Sequence, residues 1–418
     1  MPTTAEPPLL RNTNFRWLLG GGLVSMLGDQ FSMLALPWLV LSLTGDSLSL
    51  GIAVALMGAP RAVLILLGGT IADRYSPRRV MLLSKYANAA ILLALAGLLL
   101  LDQASLALAY AAALALGIAA AFGIPAGTAI LPQAVPPQSL QNANGLQMGA
   151  RQLSLLAGPL LAALVLGAHD GAQQTSMAAL AAAFAIDALT FLFSAWTLRQ
   201  VSLRPLAAAA QGMWRDMAAG LAMVWRDLPL RSCYAYWAVV AFFVMGPLQV
   251  ALPVLASERL HGASALGLLM GAHGAGTLAG MLASSLGGAW LRRHFGATLL
   301  LVDAVVGLLL MALGQISSAW QGAALLAVTG LLGGYLQVAI FTWIQRRVAP
   351  AMLGRAMALF MGIFLGLAPL SAAATGALLR HLSVGELFCG GGALLLAAAV
   401  AAALFTAIPR IAGPETIK

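Results

Sequence analysis

Gly69-Thr70-Ile71-Ala72-Asp73-Arg74-Tyr75-Ser76-Pro77-Arg78-Arg79 places one acid and three arginines within the seven residues from Asp73 to Arg79. Predominantly apolar runs flank it at 48–72 and 79–101. Each is long enough to cross hydrocarbon, which takes about 20 residues of helix. Outward in both directions the same alternation of apolar run and polar break continues. It predicts twelve helices, at 15–43, 48–72, 79–101, 105–126, 142–168, 177–199, 231–256, 264–291, 297–316, 320–344, 354–380 and 385–407. An open sheet would leave unpaired edges in lipid, and barrel strands of about 10 alternating residues do not fit runs this long. The expected fold class is an all-α membrane protein with twelve transmembrane helices.

Composition excludes the other classes. Of 418 residues, 61% are hydrophobic and 8% charged. A soluble domain carries about 25% charged residues, and a disordered chain is poor in apolar ones. The 45 glycines follow no three-residue period, so the chain is not collagen-like. The net charge of +9 is spread over short loops rather than gathered on one soluble face, which argues against nucleic acid as a partner. Such loops instead record orientation in a bilayer. With the N-terminus inside, all but four of the 22 cations fall on the inner side; Arg259 and Arg380 fall outside, and Arg61 and Arg151 within spans. Both termini are then cytoplasmic. Trp17, Trp38, Trp196, Trp290, Trp320 and Trp343 lie near span ends and predict an aromatic belt. The first apolar run, at 15–43, is longer than a signal-peptide core.

Chemistry-bearing motifs are missing. Cys233 and Cys389 are far apart, so neither a disulfide framework nor a metal spacing is expected. No H-E-x-x-H, G-x-S-x-G or G-x-x-x-x-G-K-[ST] occurs, and the lysines are Lys85 and Lys418 alone. The reading is therefore not an enzyme, with no cofactor and no direct use of ATP.

The longest loop, 200–230, separates a bundle over 1–199 from one over 231–418. Within it Trp214, Met217, Leu221, Val224 and Trp225 recur at helical spacing, with Arg215, Asp216, Arg226 and Asp227 off that stripe. This predicts an amphipathic linker helix on the inner membrane surface. The halves repeat each other. Ala35-Leu36-Pro37-Trp38-Leu39 matches Ala251-Leu252-Pro253-Val254-Leu255, Ser49-Leu50-Gly51 matches Ala265-Leu266-Gly267, and Gly158-Pro159 parallels Ala368-Pro369. Two pseudo-symmetric six-helix bundles of like orientation are a transporter architecture.

A charge at the bilayer centre costs at least about 2.5–3.5 kcal/mol, so intramembrane charges need partners. Asp29 and Arg61 fall within a few ångströms of the centres of the first two spans. Arg151 lies about 6 Å to the inner side of the midplane and Asp187 about 2 Å to the outer side. Two acid–base pairs are expected, Asp29 with Arg61 and Arg151 with Asp187. Asp303 lies near enough to the end of its span to reach the inner interface, and His273, among glycines, reads as a packed and hydrogen-bonded residue. Gly276 and Gly280 have small-xxx-small spacing.

The charged stretch at Gly69, Asp73, Arg74, Arg78 and Arg79 resembles the signature loop of the major facilitator superfamily. Physically, Gly69 lets the second helix approach a neighbour, and an acid favours a helix N-terminus. The resemblance makes that N-terminus the eleventh helix, with Arg355 as a second partner and the loop as a cytoplasmic gate. Asp29-Gln30, Thr44-Gly45, Pro60-Arg61, Leu131-Pro132, Val135-Pro136, Ala143-Asn144 and Asp187 with Thr190-Phe191 resemble its bacterial exporter branch of macrolide-efflux-like and siderophore-exporter-like proteins. Gly149 with Gly158-Pro159 is similar to an antiporter motif, although Ala162-Ala163 replaces its glycine pair.

The resemblance implies a monomeric secondary transporter of the bacterial inner membrane. It would export hydrophobic or amphipathic small molecules by proton antiport and alternating access. The implied central cavity suggests Met26, Gln30, Met33, Met245, Gln249, Gln337 and Phe341 as lining residues; methionines suit a promiscuous apolar pocket. Asp29 is the expected proton-coupling group and Arg61 its electrostatic switch. The alternatives are a lysophospholipid or siderophore transporter or an importer of the same fold, and a non-transporting membrane scaffold.

Overall fold

The computed structural model describes residues 9–167, 176–203, 213–260, 262–286 and 294–411. Among them are twelve helices long and apolar enough to cross a membrane, and no strand. They are α1 (Thr13–Thr44), α2 (Ser47–Tyr75), α3 (Pro77–Leu100), α4 (Leu106–Ala134), α5 (Leu140–Gly167) and α6 (Met177–Arg199). After the amphipathic α7 (Met213–Arg226) come α8 (Leu228–Glu258), α9 (Ala263–Leu286), α10 (Phe295–Leu313), α11 (Ala319–Arg347), α12 (Pro350–Leu378) and α13 (Val384–Phe405). Trp290, Arg292 and Arg293 lie outside the described residues.

Several ends differ from the sequence expectation for local reasons. The signature stretch is hardly a loop. Asp73 and Arg74 close the last turn of α2, Pro77 opens α3, and Ser76 alone joins them at φ 92°. Proline at N1 donates no N–H that a helix start needs, so α3 begins two residues earlier than expected. Pro350 likewise opens α12, four residues earlier than expected. α4 runs on to Ala134 through Pro125 and Pro132, which neighbouring helices make tolerable inside a bundle. α8 starts directly after Asp227, whose carboxylate caps Leu230 N at 3.0 Å. Asp227 also takes a bidentate pair from Arg347 at 3.0 Å. Where Gly246-Pro247 interrupts the ladder, α8 passes through a π-turn at Pro247–Ala251. There Ser371 of α12 accepts from Gly246 N and donates to the Phe242 carbonyl.

The chain forms two compact units. The first holds 1–39 and 60–209, the second 40–59 and 210–418. In the first, a Cβ on Gly68 of α2 would overlap the Ala121 carbonyl of α4. Gly69 has only an ordinary contact with Pro125, so the close-approach role falls to Gly68 and not to Gly69. In the second, Gly276 and Gly280 of α9 lie on the carbonyls of Ala327 and Leu331 of α11. Gly330 and Gly334 of α11 return the contact on His273 and Thr277. The hairpin 40–59 packs within the second unit: Gly51 lies against Ala372 and Gly376 of α12, and Ser47 Oγ donates to the Gly376 carbonyl at 3.2 Å.

α7 forms within the stretch expected to hold the amphipathic linker helix. Its Gly220 lies on Arg355 and Leu359 of α12, Val224 is buried, and Leu221 and Trp225 are 57% and 66% exposed. The side chains of Trp214, Arg215, Asp216 and Met217 lie outside the described residues. The aromatic belt is partly corrected: Trp196 and Trp320 are exposed, but Trp38 and Trp343 are buried. Trp343 is core because Phe295 stacks on it at 5.2 Å and Trp237 meets it edge-on at 6.1 Å.

Candidate functional site

Four charged side chains of the first unit come together in mid-membrane. They are Asp29 on α1, Arg61 on α2, Lys85 on α3 and Asp187 on α6. Each lies within about 5 Å of the middle of its helix at 1.5 Å per residue. The local sequence explains why α1 and α6 meet here. Ser25, Asp29 and Ser32 follow an i, i+4, i+7 spacing on α1, one helical face. Gly28 opens a gap beside them, where a Cβ would overlap Thr190 Oγ1 and come 2.7 Å from Asp187 Oδ1. Asp187, 1% exposed, fills that gap. Ser32 Oγ donates to its Oδ2, and Thr190 Oγ1 lies 3.3 Å from its Oδ1.

Lys85 is the residue that reading the sequence missed. Its place after Arg78 and Arg79 predicts an inner-side cation, yet it is 6% exposed inside the bundle. Its Nζ lies 3.5 Å from Ser25 Oγ and 5.6 Å from the centroid of the Phe191 ring. Asp29 feels the charges of Lys85 and Arg61; Asp187 feels those of Asp29 and Lys85. Among the described residues no ion pair within 4 Å joins Lys85 to either acid. Arg61 Nε is buried and makes no hydrogen bond. Two acids and two bases therefore share one desolvated cluster without a closed contact pair.

The expected pair of Arg151 with Asp187 is not formed. Arg151 lies on an exposed face of α5, and the partners of Asp187 come from α1, α3 and α6 instead. The two lie at compatible heights, but the rotation of α5 turns Arg151 to its exposed face. Gln30 is corrected too. It is buried, with its stem on Gly158 of α5, so that glycine exists to seat Gln30 and Gln30 does not line an open surface. Pro159 is buried beside it, and Gly149 faces open space. Met26 is half-buried and Met33 exposed. In the second unit Met245, Gln249, Gln337 and Phe341 are half-buried. Gln249 sits on the π-turn, and Phe341 meets Phe360 edge-on at 5.6 Å.

Of the gate residues, Arg78 donates to the Arg199 carbonyl at the C-terminus of α6, where a cation is favoured. Arg74 lies over the Tyr75 ring at 5.8 Å, Arg79 is exposed, and Arg355 reaches Met352 Sδ. The side chain of Asp73 lies outside the described residues. Asp303 does not reach an interface. It is buried, and its carboxylate faces the Tyr236 hydroxyl inside the second unit. His273 Nδ1 lies 3.3 Å from the Leu326 carbonyl, the packed arrangement expected of it.

A sequence profile of the Major Facilitator Superfamily matches residues 18–368. The chain belongs to that superfamily. As a superfamily member it is a multi-pass membrane transporter of small molecules and not an enzyme. It is 27% identical over 371 residues to the multidrug efflux pump Tap of Mycobacterium tuberculosis, 86% of each chain. It is 24% identical over 346 residues to the enterobactin exporter EntS of Shigella boydii, 82% of this chain and 79% of that one. The crystal structure of the nucleoside transporter NupG superposes with a TM-score of 0.68 at 13% identity, covering 93% of this chain and 98% of that one. A bacterial homologue of the human lysosomal transporter Spinster gives 0.66 at 15%, covering 97% and 96%. The last two share the fold.

Proposed function

We propose that this superfamily transporter exports hydrophobic or amphipathic small molecules from the cytoplasm in exchange for protons, and that Asp29 is the coupling group. The bilayer is the bacterial inner membrane, with both termini inside, as the bias of Lys and Arg supports. The observation that carries the reading is the mid-membrane cluster of Asp29, Arg61, Lys85 and Asp187. Of these acids Asp29 is half-buried and makes no hydrogen bond among the described residues, so a proton can reach it, whereas Asp187 is buried and held by Ser32. An ionisable group in a membrane interior is by default a functional one. Export rather than import follows the exporters Tap and EntS among its relatives.

The test uses everted vesicles and a panel of lipophilic dyes, macrolides and siderophores. Asp29→Asn is expected to retain downhill exchange and to lose uphill, gradient-driven accumulation by at least tenfold. A well-folded Asp29→Asn protein that still accumulates substrate against its gradient overturns the assignment.

A further inference from the structure

Lys85 is unusual in its surroundings. An ammonium carries three N–H donors, yet among the described residues its one hydrogen bond is the long one to Ser25 Oγ at 3.5 Å. A purely structural buried charge closes on its counter-ion, because good geometry is what offsets desolvation. Lys85 instead rests between a hydroxyl and the face of Phe191, within the field of two carboxylates and in contact with neither. Ser25 is one turn from Asp29 on the same face of α1, about 5–6 Å away. Phe191 is one turn from Asp187 on α6. The four-carbon stem of a lysine can swing its head across such a gap.

The two acids are held differently. Asp187 is fixed by Ser32 and Thr190, whereas Asp29 makes no hydrogen bond among the described residues. Among the described residues no other charged group intervenes. α4 has none, the only charge on α5 is the exposed Arg151, and Arg61 on α2 acts on Asp29.

We propose that Lys85 is a mobile counter-ion shared by Asp29 and Asp187: proton binding at Asp29 turns the ammonium toward Asp187, and proton loss turns it back. Lys85 is then a positioning residue that acts through the acids. It rests on the reading of Asp29 as the coupling group, and goes beyond it by tying α1, α3 and α6 to one proton. The step transfers only a proton, from solvent to the Asp29 carboxylate, with the ammonium compensating charge inside the bundle.

The test is an infrared pH titration of the full chain in nanodiscs, following the protonated-carboxyl band. The acids are assigned by difference spectra against Asp29→Asn and Asp187→Asn. In the unmodified chain, protonating Asp29 is expected to shift the band of Asp187. In Lys85→Met the Asp29 band persists to about one pH unit higher, a tenfold change in proton affinity, and its effect on Asp187 weakens. Lys85→Arg restores both. An Asp29 titration unmoved by Lys85→Met, or an Asp187 band indifferent to Asp29 in the unmodified chain, overturns the proposal. The second readout needs no Lys85 variant, so a misfolded Lys85→Met leaves the test intact. Coupled titration with gradient-independent flux would sink proton antiport and leave the shared counter-ion standing; uncoupled titration with proton-driven flux would do the reverse.

Discussion

Single atoms decide the mid-membrane cluster. A methyl at Gly28 must overlap Thr190 Oγ1, and it presses on Asp187, so α6 has to retreat. Gly20 and Gly22, nearby on α1, have nothing within 4 Å of the same methyl. We expect Gly28→Ala to destabilise the detergent-solubilised protein by about 1–3 kcal/mol, the usual size of overpacking in a filled interior. Gly22→Ala should cost much less. Thermal unfolding of the two variants side by side checks this, and equal midpoints would contradict the packing described. The residue scale is also where sequence reading stopped. Asp29, Arg61 and Asp187 were legible because a charge in an apolar run stands out. Lys85 was not, because it follows Arg78 and Arg79 and passes for one more inner-side cation. The signal was present all the same: of two lysines in the chain, one lies several residues inside an apolar run.

At the scale of elements the sequence is far more legible, since span length and apolar continuity are set by the bilayer rather than by neighbours. All twelve spans were placed, and the errors sit at their ends, where proline chemistry decides. Pairing of elements was only hinted at by the small-residue spacing of Gly276 and Gly280. The structure gives α2–α4 and α9–α11 the same device, glycine on a facing carbonyl. Because Gly68 makes the close approach and Gly69 does not, the two neighbours offer a controlled comparison. Gly68→Leu should cost several-fold more folded protein than Gly69→Leu when yields of monodisperse protein are compared by size-exclusion chromatography. If Gly69→Leu proves the worse, α2 is rotated by a full residue step from its described position.

For the whole molecule, the helix count and the repeat were readable, but the grouping of the hairpin 40–59 with the second unit was not, because it depends on contacts more than three hundred residues apart in sequence. Asp46 shows what holds it there. Its carboxylate caps α2 through Ser49 and pairs with Arg380 at 3.1 Å, and the Arg380 hydrogen bond holds its pKa down at about 2. The unfolded value is about 3.9, so the folded state binds this proton less readily. The stabilisation is full above about pH 5 and is lost as pH falls toward 2. Arg380 is half exposed, so solvent limits the pair to about 1 kcal/mol or less. Asn caps a helix as well as Asp does, so Asp46→Asn removes only the pair. We expect its unfolding midpoint to lie about 1–2 °C below the parent at pH 7, with the difference shrinking in 1 M salt and at pH 3. A difference that grows on acidification would be the wrong sign for this pair.

The burial of Lys85 has a consequence for handling the whole protein. With Lys418 its only companion, the chain offers amine-directed reagents almost no side-chain target. Lysine-specific proteases will leave it nearly whole, and amine crosslinkers will find little to join. Any acylation that does appear at Lys85 needs both a neutral amine and a path through the packed helices, so the rate of that one modification is a clock for how often the bundle opens.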